Sequence, residues 1–280
     1  MKRTALIIAC AIMASVPGMS WGRLGHATVA YIAEQNLTPK AQKAIHEYLH
    51  GNSLVSVASL NDNLKSVMTV RLDYEFTGET PHIQSHDNIF ELPHTFEVAA
   101  GTFEVTPTVC DNGRFVKNCI WFIDKYSKDL HNNAKEMDDS TRFAEITSIV
   151  HMMGDMHCPE HIRYYPEDMT IGYYKVIFNG EPLRYHTLWD DMIFTDKRNW
   201  SFSDLAYLVD RYGKKELKEW TNGTVWDWAK DSAIQSYPIH LVKPGEKLEK
   251  YYTLKNQKLA EMQLVKAGHR LATILNETFK

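Results

Sequence analysis

The chain has 280 residues, 44% of them hydrophobic and 24% charged, with a formal net charge of −4. That profile is globular and long enough for a sizeable core, and it excludes an intrinsically disordered chain. The negative balance excludes capture of a polyanion by a general basic field, so any contact with nucleic acid has to be local.

Lys2 and Arg3, an apolar run from Ala5 to Val16, and then Pro17, Gly18, Met19 and Ser20 read as a secretory signal peptide over residues 1–20, with cleavage before Trp21. The run is too short for a membrane span, and no later segment approaches the ~20 apolar residues that one needs. Residues 21–280 are therefore expected as an exported domain, periplasmic or secreted. Helical periodicity dominates them. Helices are predicted near residues 24–36, then from the cap Thr38-Pro39 through Ala41, Ile45 and Leu49, and near 53–69. Residues 73–93, with Gly78, Pro81 and Pro93, read as an irregular loop. Cys110 and Cys119 flank the turn-like Asp111-Asn112-Gly113, a loop that a disulfide can close in an oxidising compartment. Further helices are predicted near 117–132, 140–158, 202–211 and 224–236, and along the C-terminal stripe of Leu264, Ala267, Leu271 and Leu275. Only Tyr173 to Phe178, ended by Asn179-Gly180, reads as a hairpin strand. The fold class is all-α, a single compact helical domain with a short β-hairpin.

Thirteen histidines are present, and their spacing points to metal. His151 with Asp155 in HMMGD, and His186 with Asp190 in HTLWD, lie one helical turn apart on one face, so each pair can reach a single ion. One such pair alone reads as a satisfied polar contact; two in apolar surroundings shift the balance. Val150, Met152 and Met153 bury the first pair, where an uncompensated carboxylate is costly. On a straight helix His161 would stand about 15 Å along the axis from His151. The ring of Pro159 clashes with the carbonyl of Asp155, so the helix ends or kinks and His161 turns back to serve a different ion. Cleavage before Trp21 leaves an α-amine whose reference pKa of roughly 7.7–8.0 lets zinc displace its proton. That amine and the Trp21 carbonyl can chelate one ion, with His26 of WGRLGH completing the site. Nitrogen and oxygen donors without thiolate suit catalytic zinc, so Cys158 is left out of the ligand set. His157 is assigned to a supporting or core role.

The ordered set WGRLGH, HMMGDMHCPEH and HTLWD resembles the S1/P1 nuclease family across residues 21–280. The resemblance implies a mainly helical fold of the phospholipase C/P1 nuclease type holding three zinc ions. By it, Trp21, His26 and Asp155 hold one ion. His151 and Asp155 hold a second with Asp62 of ASLNDNLK and His94 of LPHTFE, Asp73 competing with Asp62 for that place. His161, His186 and Asp190 hold the third. Asp155, shared between two ions, and Asp62 are the expected catalytic carboxylates.

The implied reaction is hydrolysis of single-stranded DNA or RNA to 5′-phosphates by zinc-activated water, with 3′-mononucleotide hydrolysis as a further activity of a monomer. Two positions depart from the family. The one after His94, commonly an aromatic ring, is Thr95, followed by the acid Glu97, with Phe96 expected to point inward. The asparagine-leucine before His186 is replaced by Arg184-Tyr185, and Arg184 is a candidate phosphate contact. The alternatives are a phospholipase C-like enzyme acting on phosphoester lipids, and an exported zinc-binding scaffold without activity.

Overall fold

The computed structural model describes residues 21–64, 94–111, 114–165, 174–196 and 198–280, leaving out the side chains of residues 63, 64, 110, 111, 114 and 115. The predicted signal peptide, the loop over 73–93 and Asp73 lie outside the described residues.

The domain opens with α1 (Arg23–Gln35), α2 (Pro39–Tyr48), α3 (Leu54–Val57) and α4 (Leu60–Leu64). The predicted start of α2 is present: the Thr38 hydroxyl oxygen accepts from the Ala41 N–H, and Ala41, Ile45 and Leu49 are buried. Next come β1 (Phe96–Ala99), β2 (Thr108–Asp111), β3 (Arg114–Lys117), α5 (Cys119–Asn133) and α6 (Asp139–His157). They are followed by β4 (Ile162–Tyr165), β5 (Lys175–Phe178), β6 (Glu181–Arg184), α7 (Tyr185–Thr187) and α8 (Ile193–Thr195). The chain closes with α9 (Phe202–Val209), α10 (Lys214–Trp220), α11 (Val225–Ser236) and α12 (Tyr252–Thr278).

The centre of the molecule is α6. Asp138 caps its start, and every residue from Ala144 to His157 is buried, as befits a helix enclosed on all sides. It packs against α5, α12 and α1. The predicted stripe of α12 is in the core, with Leu264, Ala267, Leu271 and Leu275 fully buried. Beside that stripe, Lys266 and Arg270 of α12 meet Asp231 of α11 at 2.7 and 2.6 Å. Arg270 also donates to His157 at 2.9 Å, tying the C-terminal end of α6 to both helices. No helix among the described residues is long and apolar enough to cross a membrane.

The predicted hairpin is β5 and β6, joined by Asn179 and Gly180 at φ 52° and 89°. Positive φ at both turn residues matches the twist of paired strands. Two further two-stranded sheets correct the expectation of a single hairpin. Strands β2 and β3 form a second antiparallel hairpin, and β1 pairs with β4 in parallel, Phe96 opposite Ile162. Strands of four residues carry too little alternation to be read from sequence. The expected disulfide is a second correction. Cys119 is a free thiol, because α5 begins there and places that side chain in the core; the Cys110 side chain is outside the described residues.

Candidate metal centre

Helix α6 presents His151 and Asp155 as the sequence spacing predicts, both fully buried, with His151 Nε2 3.4 Å from Asp155 Oδ2. His151 Nδ1 donates to the Ala58 carbonyl at 2.8 Å, which fixes the ring and leaves Nε2 facing the cluster. This is the usual support for a metal-bound imidazole. From α1, His26 stacks on His151 with ring centroids 4.2 Å apart, and its Nε2 lies 3.3 Å from Asp155 Oδ1.

The stacking depends on Gly154, whose part was missed in reading the motif. A Cβ on Gly154 would stand 2.6 Å from His26 Nδ1, so any larger residue displaces the ring. Gly154→Ala is expected to lower zinc content and turnover about 10-fold or more, while the overpacking costs about 1–3 kcal/mol of stability. Metal analysis and a thermal melt on the same sample check both; full zinc content would show that His26 is not needed there.

His94 arrives by a route absent from local sequence pattern. The parallel register of β1 and β4 runs Phe96 beside Ile162, which brings the residues just before the two strands together. His161 Nδ1 donates to the His94 carbonyl at 3.0 Å. His94 Nδ1 then lies 2.5 Å from Asp155 Oδ2 and 3.1 Å from His151 Nε2. Asp62, on α4, reaches His151 Nε2 with Oδ1 at 3.6 Å. Thus His26, His94 and His151 converge on Asp155, with Asp62 joining through His151.

The second group forms where α6 stops. As predicted, the helix ends before Pro159; Cys158 is extended at φ −77° and ψ 118°, and a 3-10 turn runs from Pro159 to His161. This is the backbone region that a following proline imposes. His161 stacks on His186, centroids 4.9 Å apart, and its Nε2 is 4.0 Å from Asp190 Oδ1. His186 Nε2 lies 2.9 Å from Asp190 Oδ2. The HTLWD segment is α7 followed by a wide π-helical turn from Leu188 to Met192 rather than one regular helix, a departure frequent at functional sites. Cys158, left out of the expected ligand set, has its Sγ beside His161 and Asp190 in a cluster whose donor atoms all lie within 4.8 Å of one another.

Trp21 is fully buried beside the second group. The Gly22 N–H donates to the Asp190 carbonyl at 2.7 Å, the Trp21 amide faces the Cys158 sulfur, and the indole lies 5.2 Å from the Phe194 ring. A Cβ on Gly22 would fall 1.5 Å from Asp191 Oδ1, so a larger residue there has to move the Asp191 carboxylate.

The electrostatics suit cations. Burial alone would raise Asp155, but His151, His94 and His26 outweigh it and hold the carboxyl well below the usual range. Burial pushes His161 down to about 3, so its ring is neutral, and its buried Nε2 makes no hydrogen bond. Burial also raises Asp190 to about 6 against the pull of His186. Imidazoles set among buried carboxylates, two of them anchored through Nδ1 to the carbonyls of Ala58 and His94, form a donor set that fits zinc. The His94 and His186 side chains, each 12% exposed, form the open edge of the cluster.

His157 has both ring nitrogens committed, Nδ1 donating to the Met153 carbonyl at 2.8 Å and Nε2 accepting from Arg270, which confirms its supporting role. Of the candidate substrate contacts, Thr95 is half-buried behind His94, and Phe96 points inward as expected. Glu97 is buried and faces Arg163 on the neighbouring strand at 3.8 Å. Arg184 ends β6, where its charge acts on His186.

The sequence model described as S1/P1 Nuclease matches residues 21–280. Nuclease PA3 of a Penicillium species is 23% identical over 291 residues, covering 92% of this chain and 97% of that protein. Endonuclease 2 of Arabidopsis thaliana is 23% identical, covering 98% of this chain and 96% of its own. Nuclease S1 of Aspergillus oryzae is 26% identical over 91% of each.

Proposed function

This chain belongs to the S1/P1 nuclease family of zinc-dependent phosphodiester hydrolases, and from that premise we propose that it is an exported, monomeric enzyme cleaving single-stranded DNA or RNA to 5′-phosphate products. The observation that carries the reading is the convergence of His26 and His94, from two distant elements, on the His151–Asp155 pair of α6, beside the group around Asp190. Signal cleavage after Ser20 would free the Trp21 amine. Three zinc ions would then be held by Trp21, His26 and Asp155; by Asp62, His94, His151 and Asp155; and by His161, His186 and Asp190. When bound, such ions supply a water acidic enough to attack phosphorus at neutral pH and neutralise charge on the phosphate.

The protein's own part is positioning. Asp155 orients donors from both sides, and the carbonyls of Ala58 and His94 hold His151 and His161 in the tautomer that leaves Nε2 free. Arg184 steadies the phosphate at the open edge. Thr95 offers a hydroxyl where a ring would stack on a base, so the phosphodiester rather than the base dominates binding, and 3′-mononucleotides are also substrates. A single strand enters because its backbone can bend into the edge between His94 and His186. Parallel assays on single-stranded DNA, RNA, a 3′-nucleotide and phosphatidylcholine, each with and without chelator, test the proposal. Chelator-sensitive cleavage of the nucleic acids supports it; turnover of phosphatidylcholine alone would replace it with the phospholipase reading.

A further inference from the structure

Cys158 is fully buried and sits on the one residue that joins α6 to the Pro159 turn. Its backbone is extended between the end of the helix and the proline, and its sulfur points inward beside Asp190. This is the interior of the second ligand group. The thiol donates to Asp190 Oδ1 at 3.5 Å. In a tetrahedral zinc site with Zn–S at about 2.3 Å and Zn–O at about 2.0–2.2 Å, the sulfur-to-oxygen edge is about 3.5 Å. His161 Nε2, buried and without a hydrogen bond, lies 4.0 Å from the same oxygen, about half an ångström more than the nitrogen-to-oxygen edge of such a site. Across Asp190, His186 Nε2 stands 2.9 Å from Oδ2.

We propose that Cys158 is a thiolate ligand of the zinc ion held by His161, His186 and Asp190, adding sulfur to its nitrogen and oxygen donors. The inference rests on the metal-centre reading above and adds to it a ligand of a different chemical class. As the ion enters, the Zn–S bond forms, the S–H bond breaks and the proton leaves to bulk water, with no change in oxidation state. One thiolate and one carboxylate together neutralise the charge of the ion. This zinc is therefore a weaker Lewis acid than an ion held by imidazoles and a shared carboxylate, and the added bond ties the Pro159 turn to the Asp190 segment.

The test uses cobalt(II) in the protein beginning at Trp21, because thiolate-bound cobalt shows an intense near-ultraviolet charge-transfer band that imidazole and carboxylate ligands lack. The band is expected in the parent protein and in Cys119→Ser. Cys158→Ser should lose it while keeping visible ligand-field bands, with zinc affinity at that site falling about 10-fold or more. Ligand-field bands without charge transfer, or a band surviving in Cys158→Ser, would overturn the thiolate assignment alone. Failure to bind cobalt at all would overturn the metal centre and this proposal with it. Should Cys158→Ser not fold, X-ray absorption at the zinc edge of the parent protein decides: a sulfur shell at about 2.3 Å is expected, and nitrogen and oxygen only would refute it.

Discussion

Asp155→Ala is expected to remove more than one zinc ion per molecule and to lower turnover by about 10³-fold or more, since each catalytic ion contributes several kcal/mol of charge stabilisation. The carboxylate lies 3.3 Å from His26, 2.5 Å from His94 and 3.4 Å from His151, with Oδ1 toward His26 and Oδ2 toward His94 and His151, so its two oxygens face different donors. Its removal leaves three buried imidazoles without the charge that gathers them, and a site that must then hold cations among neutral donors binds far more weakly. Asp155→Asn separates ligation from packing, because it keeps the shape and removes the charge. Zinc content by mass spectrometry, with circular dichroism to verify the helices, reads the outcome. Loss of only one ion from either variant would contradict the shared role.

A protein carrying one extra residue before Trp21 is expected to lose activity by about 10²-fold or more, several kcal/mol of metal contribution being forfeited, with its helical content and melting temperature close to those of the protein beginning at Trp21. The extra residue turns a basic amine into a planar amide, whose nitrogen has no lone pair to give. The start of the chain is held close to the Asp190 segment. Trp21 is fully buried, Gly22 is bonded to the Asp190 carbonyl, and Asp191 closes over the Gly22 Cα. The fold does not depend on that amine, because α1 is held by its packing on α12. Equal turnover in the two proteins would refute ligation by the terminus.

The pairs His151–Asp155 and His186–Asp190 were legible because helical periodicity is local, and so was the turn at Pro159, which follows from the proline ring itself. The stripe of α12 was legible for the same reason. Asp62 and His94 rested on resemblance, since nothing local connects α4 or the start of β1 to α6. What brings His94 into place is the parallel register of β1 and β4, a long-range pairing of short strands that leaves no period to read. Gly154 was hidden differently: a small residue on a buried helix is ordinary, and its purpose shows only when the His26 ring is seen against it. Cys158 was set aside by a rule about ligand types in catalytic sites, which said nothing about where the end of α6 would put the sulfur.

The contact between the first helix and the last also constrains when the protein can mature. Gly268 of α12 admits Ile32 of α1 so closely that a Cβ there would stand 2.6 Å away. Near the end of the chain, Asn276 accepts from the Thr38 N–H at 2.7 Å and donates to the Asn36 carbonyl at 3.0 Å. The segment bearing Trp21 and His26 thus docks on a surface that lies far along the sequence, Thr38 and Asn276 being 238 positions apart. Closing so long a loop has to wait until α12 is available. A chain cut short before α12 emerges as an unassembled set of ligands.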